Sequence, residues 1–311
     1  MTVPPPPISL RRRSILGAAA ASLVSAASPT FARGNPAWLK NMGVNAFGLR
    51  RHLIADFAWT LARLRDIGIW RLELVSFRGW SGHPYGDFKE LAGMTGQAVA
   101  QALAAAGLTA DSSHVQPSEL TPDALNQTLE WMAPIGVRTL VLAGLQMGTA
   151  ASEARARAIE GLNATGEKLL RRGFNLMLHG DFALWEFDGR ERFFARFVRS
   201  VDPSLCRLQL DLGATLQMSV DAAAILREHG RHIGSLHLRD GKPPFDPEVY
   251  LPSVALGEGA APIPAIMRAA LRAGVDDFVL KMVMRPEGGE IEALARSKSY
   301  LEQFQRGEAT G

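Results

Sequence analysis

The chain has few of the residues that would indicate disulfide bonds, nucleic-acid binding or a membrane span. Its single cysteine, Cys206, cannot form an internal disulfide and lies in an apolar run, so we expect it in the core. Its 34 basic residues exceed its 31 acidic ones only slightly, and no basic face for binding nucleic acid is indicated. No segment after the first 32 residues has the long uncharged apolar run of a membrane helix. These features argue against a disulfide scaffold, a nucleic-acid partner and a membrane-spanning body.

The N-terminal segment has the organisation of an export signal. Residues 11–16 read Arg-Arg-Arg-Ser-Ile-Leu, an alanine-rich apolar run covers 17–27, and small residues at 30–32 suit cleavage. The paired arginines resemble the twin-arginine signal, which exports proteins after they have folded. We therefore predict a signal peptide over 1–32 and a periplasmic location; an uncleaved anchor or a disordered basic tail is the alternative. Removal of 1–32 takes away three arginines and no acid, leaving 31 basic and 31 acidic residues.

Short β-rich runs alternate with longer amphipathic stretches in the rest of the chain. The predicted strands are 44–49, 69–76, 108–114, 137–143, 174–180, 206–212, 233–239 and 277–284. The predicted helices are 55–67, 88–106, 120–135, 151–172, 190–200, 220–229, 263–273 and 288–305. Five of these helices are followed by a glycine, which ends a helix readily because it adopts positive φ. Eight such units predict an α/β fold, a (β/α)8 TIM barrel, over 33–311 as a single domain.

Two further features bear on this prediction. A doubly wound open sheet is the alternative fold, but no Gly-x-Gly-x-x-Gly motif follows the first predicted strand. The proline-rich segment 241–262 follows the seventh predicted strand as a long loop, which we interpret as a lid or a cleft wall.

Charged residues and histidines interrupt or follow several predicted strands. Because the carboxyl ends of barrel strands meet at one mouth, such side chains are candidates for a shared site. The candidates are Glu73, His114, Asp181, His179, Asp211, His237, Arg239 and Lys281. Several of them also have a structural interpretation. Asp211 suits a helix cap, Glu73 suits a salt bridge to Arg50 or Arg71, and Lys281 suits a stem that extends outward to solvent. For Arg239, an ion pair with Asp211 or Glu73 competes with a role in binding substrate.

The order of these motifs resembles the sugar phosphate isomerase/epimerase family, whose members have a xylose isomerase-like barrel. The matching stretches are 43–50, 68–74, 107–114, 178–182, 210–213, 233–240 and 256–259, and they span nearly all of 41–305. The resemblance implies an enzyme that removes a proton from the carbon beside a sugar carbonyl. Such chemistry needs a Lewis acid on the oxygen and a base against the carbon.

The resemblance also implies a divalent metal. Its ligands would be His179, Asp211 and His237, a set that suits Mn²⁺, Zn²⁺, Co²⁺ or Fe²⁺ better than Ca²⁺. The fourth ligand, usually a glutamate on strand 8, falls on Met282, with Lys281 beside it.

Three interpretations of this departure stay open. Water or substrate completes a three-ligand site, or Asp181, Glu73 or Glu258 rebuilds it, or the barrel has lost the metal. For the chemistry, we predict Glu73 as general base or acid and Lys281 as base or imine former. The predicted substrate contacts are His114, Arg239, Asp181 and Trp80.

The function predicted from the sequence is an exported enzyme of the sugar isomerase/epimerase type. A neutral cleft favours a non-phosphorylated sugar, and cleavage of a 3-keto-glycoside is chemically close, with an exported oxidoreductase as a candidate partner. A sugar-binding or accessory barrel without catalysis is the alternative. An endonuclease IV-like repair enzyme shares the barrel, but it would need a basic groove for DNA.

Overall fold

Eight parallel strands form a closed barrel. The computed structural model describes residues 37–79, 88–89, 91, 93–143, 152–188, 190–245, 251–284 and 286–308. The barrel strands are β1 (Gly43–Asn45), β2 (Arg71–Val75), β3 (Ser112–Val115), β4 (Thr139–Leu142), β5 (Asn175–Gly180), β6 (Cys206–Asp211), β7 (Ile233–Leu238) and β8 (Phe278–Leu280). They pair in chain order, and β8 closes the barrel against β1. The predicted TIM barrel is confirmed.

Helices surround the barrel. Within the described residues they are Ala37–Lys40, Ala46–Ala55, Phe57–Asp66, Gly96–Ala106, Pro122–Met132, Ser152–Leu170, Phe182–Trp185, Phe193–Ser200, Leu212–Gln217, Ala222–His229, Ile263–Arg272 and Glu290–Arg306. Short 3-10 turns cover Pro117–Leu120, Ala133–Ile135 and Gly230–His232, and a two-stranded ribbon joins Phe187–Asp188 to Glu191–Arg192. No helix in the described part of the chain is long and apolar enough to cross a membrane.

The first strand is shorter than the sequence predicts. It ends at Asn45, and a helix begins at Ala46 within the predicted strand 44–49. The Asn45 side chain accepts a hydrogen bond from the Phe47 backbone N–H at 3.1 Å and so caps this helix. A short apolar run such as 46–49 does not distinguish a buried strand from a helix that is buried on one side, which is why the sequence predicts a strand here.

The amino-terminal end of the barrel is closed by a buried arginine. Arg71 on β2 donates to Asp111 at 2.8 Å and to the Asn41 carbonyl oxygen at 2.8 Å, and it also pairs with Asp277. Burial alone would lower the pKa of Arg71, but Asp277 and Asp111 raise it above its ordinary value. Arg71 is therefore a structural group at the end of the barrel opposite to the carboxyl ends of the strands.

The loop after β7 is tied to the barrel at several points. The buried Asp240 carboxylate accepts four backbone N–H bonds from this loop, from Gly241, Gly257, Gly259 and Ala261, at 2.8–3.0 Å. Arg239 donates to the Leu251 carbonyl oxygen at 2.8 Å. In its described parts the loop is thus a fixed wall of the barrel mouth.

Candidate functional site

A cluster of polar side chains occupies the barrel at the carboxyl ends of β5 to β8. The Lys281 ammonium, one residue beyond β8, donates to Asp211 Oδ2 at 3.0 Å and lies 3.1 Å from His179 Nε2. His179 Nε2 in turn lies 3.2 Å from Asp211 Oδ2 and 3.2 Å from His237 Nδ1. Among these four side chains His179 is the most exposed, at 11%, so it faces the mouth of the barrel.

Asp211 uses its two oxygens for two purposes. Oδ1 accepts from the backbone N–H groups of Gly213 and Ala214 at 2.8 and 3.1 Å, which caps the helix Leu212–Gln217. Oδ1 also accepts from the Arg239 guanidinium at 3.3 Å, while Oδ2 faces the cluster. The helix cap and the site role, which the sequence presented as alternatives, therefore coexist in one carboxylate.

Glu73 lies beneath this cluster and is fully buried. Its Oε1 is 2.6 Å from His237 Nε2 and 3.2 Å from His114 Nε2. The rings of His114 and His237 stack with centroids 5.3 Å apart. A carboxylate can only accept, so His237 carries its hydrogen on Nε2 and directs Nδ1 toward the cluster above. This placement suits a positioning role for Glu73 more than direct contact with a substrate.

Three polar residues absent from the predicted site hold Glu73 in place. Gln209 donates to Oε2 at 2.7 Å, Asn45 donates to Oε1 at 2.8 Å, and Ser112 donates to Oε2 at 3.3 Å. The Gln209 amide oxygen lies 2.9 Å from His114 Nε2. The period of two in strand β6 puts Gln209 on the same face as Asp211, which is the signal that would have identified it.

Burial and neighbouring charges shift several pKa values in the upper cluster. Burial alone would raise the pKa of Asp211, but Lys281 and Arg239 hold it well below its usual range. Burial, with a further effect of Lys281, lowers the pKa of His179 well below its usual value. Burial raises the pKa of Asp181 to about 7. These directions favour an ionised Asp211 carboxylate and a neutral His179 imidazole.

Burial and neighbouring charges also shift the pKa values of Glu73 and His114, which lie beneath the cluster. Burial alone would raise the pKa of Glu73, but His237 and His114 hold it well below its usual range. Burial lowers the pKa of His114, against the effect of the Glu73 carboxylate. The Glu73 carboxylate is therefore ionised although it is enclosed by the barrel.

Two groups of residues have donor atoms close enough together to hold a metal ion: His179, Asp211 and His237, and Glu73, His114 and His237. In the first group the three donor atoms are separated by 3.2, 3.2 and 3.5 Å. Ligands of a tetrahedral ion lie about 3.3 Å apart, so the spacing suits an ion. The charge does not suit an ion, because the Lys281 ammonium contacts two of the three atoms that would bind it. The residues present therefore do not fit a divalent ion in this group.

Comparison with protein families identifies the fold family. A family model described as xylose isomerase-like TIM barrel matches residues 42–302. The chain belongs to the xylose isomerase-like TIM barrel family. A search of curated protein sequences finds no significant match.

Solved structures of the same fold cover the whole barrel. A sugar phosphate isomerase/epimerase from Parabacteroides distasonis is 20% identical, with a TM-score of 0.69 over 89% of this chain and 98% of that one. An L-ribulose 3-epimerase is 18% identical, with a TM-score of 0.59 over 86% and 95%. A xylose isomerase-like barrel from Mycobacterium smegmatis in complex with magnesium is 17% identical, with a TM-score of 0.59 over 87% and 98%. At these identities the likeness shows the fold.

Within this xylose isomerase-like barrel, the residue after β8 whose side chain faces the cluster is not the one predicted. The sequence count assigns it to Met282, but Lys281 is the residue whose side chain reaches Asp211 and His179. Met282 is buried in the apolar core. A shift of one residue reverses the face that a strand residue occupies, and β8 ends at Leu280.

The remaining predicted site residues are placed as follows. Arg239 forms the predicted ion pair with Asp211, and its guanidinium is buried. Asp181 follows β5 and accepts from the Ala183 backbone N–H at 3.1 Å, which caps the short helix Phe182–Trp185. Glu258 pairs with Arg296 at 2.7 Å and is not a member of either candidate metal group. Trp80 lies outside the described residues.

Proposed function

We propose that this barrel is an isomerase or epimerase that moves a proton at the carbon next to the carbonyl of a small sugar or keto-sugar. The observation that carries the proposal is the 3.1 Å separation of Lys281 Nζ and His179 Nε2 at the barrel mouth. Removal of such a proton requires a donor or cation at the carbonyl oxygen and a base at the carbon. The ammonium and the imidazole supply these two groups side by side.

The proposed roles follow from this geometry. Lys281 donates a hydrogen bond to the carbonyl oxygen and stabilises the negative charge that forms there when the carbon loses its proton. When the Lys281 ammonium turns to the carbonyl oxygen, His179 Nε2 loses its N–H partner, and its lone pair takes that proton and returns it to the same carbon or to its neighbour. Asp211 holds the ammonium at 3.0 Å, and Glu73 positions His237 from below. Asp181, at the end of β5, is a contact for a sugar hydroxyl.

The charges of the site favour a substrate without phosphate. The Asp211 and Glu73 carboxylates are matched by the Lys281 ammonium and the Arg239 guanidinium, which is already paired with Asp211. No positive charge in this set is left over for a phosphate group. The family membership and the sugar isomerase and epimerase named among the similar structures support a sugar as the substrate class.

The cellular setting extends this proposal. With residues 1–32 as a twin-arginine signal, the enzyme acts in the periplasm. An exported oxidoreductase would supply the keto group of a 3-keto-glycoside, from which the same proton abstraction leads to loss of the aglycone. A Mn²⁺, Zn²⁺, Co²⁺ or Fe²⁺ ion would, in the alternative, be held by His179, Asp211 and His237 and would supply Lewis acidity. It would require the Lys281 ammonium to leave its present contacts.

Exchange of substrate hydrogen with solvent tests the function directly. We would incubate the protein with non-phosphorylated aldoses, ketoses and 3-keto-glycosides in D₂O and follow deuterium incorporation and product formation by NMR. His179→Gln should lower the exchange rate at least about 100-fold, because it removes the proton acceptor. His229→Gln, on an outer helix, is the matched control and should exchange like the wild type.

The outcomes separate the proposal from its alternative. Exchange that requires His179 supports an isomerase or epimerase. Saturable sugar binding without exchange or product formation would instead show a binding or accessory barrel, and the proposal would be rejected.

A further inference from the structure

We propose that the Lys281 ammonium takes the place of a divalent ion in this site, so that the proton transfer proceeds without a bound metal. The catalytic part of this inference rests on the proposed function, whereas the location of the ammonium does not. Three features of the described residues support it: the use of lone pairs, the balance of charge and the remaining N–H group of Lys281.

The lone pair of His179 is already in use. An ammonium can only donate hydrogen bonds, so in the 3.1 Å hydrogen bond with Lys281 Nζ we assign His179 Nε2 as the acceptor, in the tautomer that carries its hydrogen on Nδ1. An imidazole nitrogen has a single lone pair, which cannot serve an N–H group and a metal ion together. The same ammonium also donates a hydrogen bond to Asp211 Oδ2 at 3.0 Å. Two of the three atoms that an ion would need as ligands therefore bind the lysine.

The charges of the cluster are balanced without a metal. Asp211 and Glu73 contribute two negative charges, and Lys281 and Arg239 contribute two positive ones, all with side chains at most 5% exposed. Even with Asp181 ionised as well, a divalent ion would leave at least one unmatched positive charge in this enclosed region, where desolvation makes unpaired charge expensive. An ammonium in the ion's place avoids that excess.

The ammonium also keeps one N–H group for a ligand. Lys281 has three N–H groups, and its acceptors among the described residues are Asp211 Oδ2 and His179 Nε2. The third N–H is therefore available to a carbonyl oxygen of the substrate. The hydrogen bond and the positive charge together supply the stabilisation that a Lewis acid would otherwise provide.

Metal binding by two proteins, wild type and Lys281→Glu, tests the inference without reference to activity. The full-length protein is titrated with Co²⁺, whose visible absorption reports bound ion, and metal content is measured by inductively coupled plasma mass spectrometry. Wild type should hold less than about one tenth of an ion per chain. Lys281→Glu replaces the ammonium with a carboxylate beside the three donors and should bind about one ion per chain.

Two controls accompany these variants. Adding Asp211→Asn to Lys281→Glu should abolish the gained ion, which would locate it in the cluster. Lys298→Met removes another buried lysine, one that pairs with Glu302, and should leave metal content at the wild-type level. Circular dichroism establishes that each variant is folded.

The wild-type measurement decides the inference even if Lys281→Glu fails to fold. A stoichiometric ion in wild type that is lost in Asp211→Asn would overturn it, as would a folded Lys281→Glu that gains no ion. Where a substrate has been found, exchange activity that survives EDTA supports the inference, and loss of activity with recovery on adding back an ion contradicts it. If no sugar is turned over but the metal results are as expected, the proposed function fails while the place of Lys281 stands.

Discussion

The anchor of the loop after β7 allows a quantitative prediction. Asp240 Oδ1 accepts from the backbone N–H groups of Gly241 and Ala261 at 2.8 and 2.9 Å. Oδ2 accepts from those of Gly257 and Gly259, both at 3.0 Å. Asp240→Asn keeps the shape of the side chain but replaces one oxygen with an amide NH₂, which cannot accept. Two of the four backbone N–H groups then lose their acceptor.

The expected cost follows from the number of bonds lost. Hydrogen bonds to charged groups contribute about 1.5–3 kcal/mol each, so the loss of two predicts a decrease of about 3–6 kcal/mol in the free energy of unfolding. Asp240 is fully buried, so water cannot replace the lost acceptor.

Equilibrium unfolding in urea measures this change. The matched control is Asp221→Asn, because Asp221 caps a helix through one exposed bond to the Ala224 N–H at 2.9 Å. Asparagine is an equally good cap, so this control should change stability by less than about 0.5 kcal/mol. Amide hydrogen exchange should accelerate in Asp240→Asn alone, at either the Gly241 and Ala261 pair or the Gly257 and Gly259 pair, according to which oxygen the NH₂ replaces. Equal stability of the two variants would refute the assignment of Asp240 as the loop anchor.

Three further predictions concern groups away from the proposed chemistry. Burial raises the pKa of the Cys206 thiol to about 12, so the native protein should not react with a thiol reagent at about pH 8 until it is unfolded. Burial raises the pKa of Glu119, so its ionised form destabilises the fold above its unfolded pKa, and that effect disappears as falling pH protonates it. Glu119→Gln should therefore gain stability over wild type at about pH 7 and lose the gain at about pH 4 in thermal melts. Arg71→Met should cost about 3 kcal/mol in urea unfolding because it leaves Asp277 without its partner, while the exchange activity per folded molecule stays unchanged; a selective loss of activity would contradict its structural role.

The barrel was predictable because its signals are repeated along the chain. The strands lie in short β-rich runs, and glycines such as Gly107 and Gly136 end the preceding segments in the left-handed conformation. The departures are local. The helix Ala46–Ala55 depends on the Asn45 cap, which cannot be distinguished in sequence from a polar residue within a strand.

The site was predictable in its members more than in their arrangement. His179, Asp211 and His237 do converge, because the carboxyl ends of β5, β6 and β7 meet at one mouth. The face of Gln209 was predictable from the period of two in β6, but its contact with Glu73 was not, because the two residues lie on strands far apart in sequence and meet across the barrel. The sequence predicted Met282 instead of Lys281 at the end of β8 because a count from the preceding glycine cannot determine the register of a three-residue strand.

The contact of Lys281 with Asp211 and His179 has an evolutionary consequence. Glutamate and lysine codons differ by one base in their first position, so a carboxylate and an ammonium at this position are one mutational step apart. The helix cap on Asp211 and the Glu73 support beneath His237 do not involve that position, so they would survive the change. Under the proposed role of Lys281, a barrel of this family would exchange an external cation for an internal one without rebuilding its scaffold, and its descendants would no longer depend on the supply of metal in their compartment.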